Sequence, residues 1–165
     1  MSEYGLTAKQ LAEFCASPPE PEEDEELDEE LEEEELGEEP EGDEEPVVTP
    51  DLGTIGQNLF YSFLPDSPDA CISIFDTGGW PKDPDFPRKD VTFQFRIRGT
   101  TYDEAQALAK KLHDYFCPGG IPKKCFNIGS FFIQLVLPMQ PVPYYMGRDE
   151  NGRDEFTWNM TFIIR

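Results

Sequence analysis

The chain has 165 residues with 35 acidic and 13 Lys or Arg side chains, a formal net charge of -22. Residues 1–45 hold 21 acids and one base, Lys9, and so carry -20, while residues 46–165 carry only -2. A body with no excess of Lys or Arg argues against specific nucleic-acid binding. The absence of any run approaching about 20 apolar residues argues against a helical membrane span, and with no basic, apolar leader at the N-terminus the expectation is a soluble, unexported chain with no membrane contact.

Three pieces follow in chain order. Tyr4 to Ala16 reads as a short helix within a first unit, residues 1–17: Leu6, Gln10, Leu11 and Phe14 share a side, Thr7 caps it and Ser17-Pro18-Pro19 stops it. Alone it is too short to persist, so it docks on the body, docks on a partner, or frays. Residues 18–50 form the second unit. Between Glu20 and Glu45 lie 19 acids and no base, a composition that cannot offset its ordering entropy and reads as a disordered, self-repelling tether.

Residues 51–165 form the third unit, which is rich in aromatic and β-branched residues with a period near two. Asn58–Leu64 and Ala70–Asp76 read as strands that pair antiparallel across Pro65-Asp66-Ser67-Pro68-Asp69. Thr77-Gly78-Gly79-Trp80-Pro81 opens a Pro- and Asp-rich loop reaching Pro87. In the next strand Val91, Phe93, Phe95 and Ile97 alternate with Thr92, Gln94, Arg96 and Arg98. Thr101 with Glu104 predicts a capping box, opening a helix whose stripe is Tyr102, Ala105, Leu108, Ala109, Leu112 and Phe116. Ser130–Leu137, apolar on both sides apart from Gln134, reads as a central strand. Tyr144–Glu150 and Arg153–Ile164 flank Asn151-Gly152, a dipeptide suited to a two-residue hairpin turn with positive φ angles. The expected fold is α+β: a mainly antiparallel sheet of about five to six strands, one main helix packed on one face, and the short N-terminal helix.

Catalytic and cofactor chemistry has little support. His113 is the only imidazole and falls beside the apolar stripe of its helix, where a boundary role outweighs that of general base. Cys15, Cys71, Cys117 and Cys125 form no CxxC pair, so neither zinc nor a disulfide framework is expected. Cys117 stands at a helix C-terminus, where the dipole opposes a thiolate. Asp149-Glu150-Asn151-Gly152 is far shorter than a calcium loop, and Gly53-Thr54-Ile55-Gly56 lacks the lysine of a phosphate loop. No metal, no cofactor and no enzymatic activity are expected.

Three segments carry a resemblance: LGTIGQNLFYSFLPDSPDACISIFDTGGWP (52–81), VTFQFRIRGTTYDEAQALAKKLHD (91–114) and GRDENGRDEFTWNMTFIIR (147–165). Together they resemble the minor capsid proteins of tailed bacteriophages regarded as tail terminators or tail-completion proteins. The resemblance implies a small α+β virion protein, assembled in the bacterial cytoplasm. It would form a ring, a hexamer, at the head-proximal end of the tail tube, stopping tube growth and meeting the head-completion proteins of the neck. In that family a short N-terminal helix runs almost directly into the LGT segment, whereas here the acidic tract intervenes. The family carries no catalytic residues to transfer.

A ring subunit needs side surfaces that pair with copies of itself and two unlike end surfaces. Candidate contacts are Trp80 and Phe86 in the long loop, Tyr144, Tyr145 and Arg148 before the hairpin, and Asn151 and Gly152 at its tip. Arg96 and Arg98, on the polar row of their strand, are candidates to pair with acids of a neighbour. The acidic tract can line the DNA channel by repelling phosphate, with only non-specific proximity to the phage DNA. It can also keep the free subunit soluble or hold off early assembly. Two other readings remain: a head-completion or neck adaptor, and a soluble acidic adaptor whose tract engages basic partners.

Overall fold

Thr7 accepts a hydrogen bond from Gln10 N at 3.4 Å while Gln10 Oε1 accepts from Thr7 N at 3.0 Å. This reciprocal cap opens helix α1, Ala8–Cys15. The computed structural model describes residues 6–16, 51–80 and 89–165; the acidic tract lies outside the described residues, as does Phe86. Leu6, Leu11, Ala12 and Cys15 of the first segment are buried in the main core. Ala8 N donates to Asp76 Oδ1 at 2.9 Å, and Leu52 N donates to Cys15 O at 3.0 Å. Docking thus supplies the stability that eight residues lack by themselves.

The second helix, α2, spans Tyr102–Phe116. Thr101 Oγ1 accepts from Glu104 N at 3.3 Å as expected. The reciprocal half of the predicted box is displaced by one residue, because the Glu104 carboxylate accepts from Thr100 N at 2.8 Å and from the Thr100 hydroxyl. Ala105, Ala109, Leu112 and Phe116 are buried, whereas Tyr102 is exposed, so the apolar stripe is narrower than its sequence suggests. Gly99 lets the preceding strand meet this helix: a Cβ there would lie 2.5 Å from Ala105 N.

Seven strands form one sheet: β1 Leu59–Tyr61, β2 Cys71–Trp80, β3 Lys89–Gly99, β4 Lys124–Ile128, β5 Phe131–Pro138, β6 Tyr144–Arg148 and β7 Asp154–Ile164. The order is β1-β2-β3-β7-β5-β4, with β6 also on β7. At its centre β3 and β7 pair without interruption from Lys89↔Ile164 to Gly99↔Asp154. Phe93, Phe95 and Ile97 lie beside Met160, Trp158 and Phe156 on the face packed by α2. Helix α1 touches β1 and β2 at one end of the sheet and β4 at the other, so the sheet curls around the helices.

Several expectations are corrected. The sheet is mixed, because β1 pairs parallel to β2 (Leu59↔Ile72, Tyr61↔Ile74). A parallel neighbour needs a crossover rather than an in-plane turn, and residues 62–70 make it by running back over the sheet. Ser62 takes a left-handed φ of 66° as the chain leaves β1. Residues Thr77–Trp80 are strand and not loop, pairing with Asp90–Thr92 past a bulge at Asp76/Gly78. Strand β4 was not foreseen: Cys125 has a φ of 56°, which breaks the alternation that identifies strands. β5 is flanked on both sides, yet it lies next to the edge and exposes Phe132 and Leu137, so its apolar character does not mark a central strand.

Candidate interaction surface

Strands β5 and β6 are two halves of one interrupted strand. Both run antiparallel to β7, β5 along Met160–Ile164 and β6 along Asp154–Thr157. Pro141 and Pro143 cannot donate to a ladder, and the chain between the halves bows away from β7 without coming loose. Met139 N donates to Asn159 O at 2.8 Å, Trp158 Nε1 donates to Gln140 O at 2.9 Å, and Gln140 Oε1 accepts from Asn159 N at 3.1 Å.

This anchored segment is the most apolar exposed stretch of the molecule. Among the described residues ten large hydrophobic side chains are exposed, and six of them, Leu137, Met139, Val142, Tyr144, Tyr145 and Met146, fall within ten consecutive positions. Exposed apolar groups scattered singly need no explanation, but a concentration marks an interaction surface. Strand β4 covers the outer edge of β5 alone, so β6 forms an edge of the sheet.

Tyr145 ties this surface to the fold. Its ring lies 5.2 Å from both Tyr102 and Phe156, and its hydroxyl donates to Asp154 Oδ1 at 2.5 Å. Arg148 Nε reaches the same oxygen at 3.3 Å. The hydrogen bond from Tyr145, aided by Arg148, holds the Asp154 carboxyl below the usual range, and the same bond raises the Tyr145 phenol. Asp154 is itself 1% exposed, and its Oδ2 has no partner among the described residues.

The hairpin turn differs from the predicted two-residue form. Asp149 and Arg153 close it, with Asp149 N donating to Arg153 O at 2.9 Å and Gly152 N donating to Asp149 O at 3.0 Å. Gly152 alone has a positive φ, 78°, the geometry of a three-residue loop ending in a left-handed glycine. Asp149 accepts from Asn151 N, Arg153 N and Arg153 Nε at 2.7–2.9 Å. Burial would raise its carboxyl, but these bonds outweigh burial and hold it low.

The sequence-derived candidates divide accordingly. Tyr144, Tyr145 and Arg148 are each exposed on β6, with Tyr144 opposite Thr157 and Tyr145 opposite Phe156, and Asn151 is exposed at the nearby turn. Arg96 is partly exposed and reaches Glu155 of its own chain at 3.9 Å. Arg98 is 2% exposed and does not reach the surface: it donates to Pro65 O at 2.6 Å, Pro68 O at 2.7 Å and Asp69 O at 3.2 Å. Its place on the polar row makes it a candidate to meet a neighbour's acids, but the β1–β2 crossover covers that end of the row. Arg153, also buried, binds the same crossover through Asp66 O at 2.5 Å. Trp80 ends β2 opposite Asp90. Sequence reasoning missed Met139, Val142 and Met146, although for the first two a proline-broken apolar run that no ladder can absorb is a signal.

Of the groups weighed for chemistry, His113 lies against the Trp158 ring at 5.4 Å and beside Asp114, and burial pushes the Cys117 thiol up. No described helix is long and apolar enough to cross a membrane.

A family model described as bacteriophage tail terminator protein matches residues 48–165. No curated protein matches the chain. The match excludes α1, which the structure nonetheless buries in the same core.

Proposed function

The chain belongs to the bacteriophage tail terminator family, a structural family of the virion, and from that premise we propose that it closes into a ring, a hexamer, at the head-proximal end of the tail tube. The ring stops tube polymerisation on one face and offers the other to head-completion proteins of the neck. The observation that carries this reading is the Leu137–Met146 surface, an anchored segment with six exposed large apolar side chains. Such a surface is costly to leave in water and is relieved by association. A subunit that associates sideways and presents unlike ends grows around an axis rather than along it. The acidic residues between Glu20 and Glu45 disfavour adhesion of DNA passing through the ring, since like charges repel.

The test is to add the purified full chain to polymerising tube protein, following its mass by light scattering and tube lengths by electron microscopy. A closed oligomer that shortens tubes in proportion to its concentration is the expected result. A chain that leaves tube length unchanged and instead binds the head-side complex would replace termination with a head-completion role.

A further inference from the structure

The sulfur atoms of the chain divide between its core and the Leu137–Met146 surface. Of four methionines, Met1 lies outside the described residues, and Met160 is 0% exposed in the core, opposite Phe93. The other two, Met139 and Met146, are 59% and 52% exposed, and both fall on that surface. Among the cysteines, Cys15, Cys71 and Cys117 are buried, while Cys125 is exposed on β4, a strand that pairs with β5 and not with β6.

Neither exposed methionine side chain serves the fold. Both are absent from the core cluster that contains Met160. Met139 is held by its backbone, which donates to Asn159 O at 2.8 Å. Met146 falls at the register shift between Tyr145 and Gly147, where β7 supplies no residue opposite it. Their thioethers can therefore change chemically without disturbing the ladder or the core.

A solvent-exposed thioether reacts with a peroxide by a two-electron step. The sulfur lone pair attacks one peroxide oxygen, the O–O bond breaks as the S–O bond forms, and the departing hydroxide takes up the proton of the transferred oxygen to leave as water. Sulfur is oxidised and the peroxide reduced, and an apolar side chain becomes a polar sulfoxide. Two of the six exposed apolar side chains of this surface are open to that change. A sulfoxide oxygen pressed against an apolar partner loses its water without gaining a hydrogen bond, and the gain from covering the surface falls.

We propose that Met139 and Met146 form an oxidation-sensitive pair: a peroxide converts both in the unassembled chain, and the conversion blocks association through the Leu137–Met146 surface while the fold survives. The inference rests on the ring reading and adds an order of events to it. The pair is reactive while the surface is bare and protected once the ring has covered it.

The test treats the full chain with hydrogen peroxide, before and after assembly with tube protein, and locates sulfoxide by mass spectrometry of its peptides. In the unassembled chain Met139 and Met146 should oxidise well before Met160, with the parental circular dichroism and melting temperature retained. Association, read by light scattering, should weaken by about tenfold or more and return on treatment with methionine sulfoxide reductases. The double variant Met139→Leu, Met146→Leu keeps Cys125 and should associate equally well with or without peroxide. A chain carrying both sulfoxides that associates like the parent overturns the proposal and leaves the ring standing. So does a double variant that peroxide still disables, which would move the sensitivity to Cys125, or a Met160 that oxidises as fast as the exposed pair. An untreated parent that is monomeric both alone and with tube protein overturns the ring reading, and the effect of oxidation on assembly with it.

Discussion

Strand β7 has two sides that make a useful contrast. Toward β3 it is paired along its whole length, and the shared apolar row is buried under the helices. Toward β5 and β6 it is paired in two pieces with a proline-containing bow between them, and there the apolar side chains turn to solvent. Hydrophobicity is similar on both sides, so it is continuity of the ladder and cover by helices that separate an interior from a surface. Apolar residues on the first side stabilise one copy; those on the second are the ones the proposed ring would cover.

The largest expected effect breaks this contrast at its most buried point. Trp158→Ala removes a side chain of 0% exposure and the donor that holds Gln140 O. A loss of about 3–5 kcal/mol is expected in denaturant unfolding. Tyr144→Ala, by comparison, should shift stability by less than about 0.5 kcal/mol. Equal losses at the two positions would mean that the exposed segment belongs to the core after all.

The buried side was legible in the sequence and the exposed side much less so, for a physical reason. The alternation of Val91–Arg98 and of Phe156–Ile164 reports one face against a core, and the structure pairs those two strands directly. Periodicity carries no information about what lies over the polar row, so Arg98 read as exposed when the crossover buries it. The same limit concealed the parallel pairing of β1, since turn-forming residues between two strands are equally compatible with a tight turn and with a short crossover. Around β6, Tyr144, Tyr145 and Arg148 were legible as aromatic and charged groups before a hairpin. Met139 and Val142 were not, because their exposure depends on the bow held by Gln140, nor was Met146, which falls at the Tyr145/Gly147 register shift of β6.

Asp154 stands at the boundary between the two regions, buried beneath exposed Tyr145 and Arg148, and its titration sharpens where the boundary falls. Its carboxyl is held low in the folded chain by Tyr145 and Arg148. A depressed folded value means that the contribution to stability is present above the unfolded value, about 3.9, and is lost as pH falls through the folded one. Stability of the parent should therefore decline below about pH 4, and Asp154→Asn should flatten that decline while lowering the plateau at neutral pH. An unchanged acid limb in the variant would assign the decline to the other carboxyls held low, Asp149 and Asp114.

A further effect concerns the acidic tract, and its sign is opposite. Cys15 O and Leu52 N are joined at 3.0 Å, so the described residues on either side of 17–50 meet at one point of a single core. The cost of closing such a connection grows with the logarithm of its length, about 0.6 kcal/mol per doubling. Replacing residues 17–50 by about eight Gly and Ser residues, two halvings, should stabilise the chain by about 1 kcal/mol. It should leave α1 in place, as read from denaturant midpoints and from continued protection of the Cys15 thiol against alkylation. That thiol is buried, and burial pushes its ionisation far up, so rapid alkylation in the shortened chain would show that α1 needs the full tract to reach its seat. Slow alkylation would make α1 an integral element of the terminator domain, extending it beyond the matched residues 48–165.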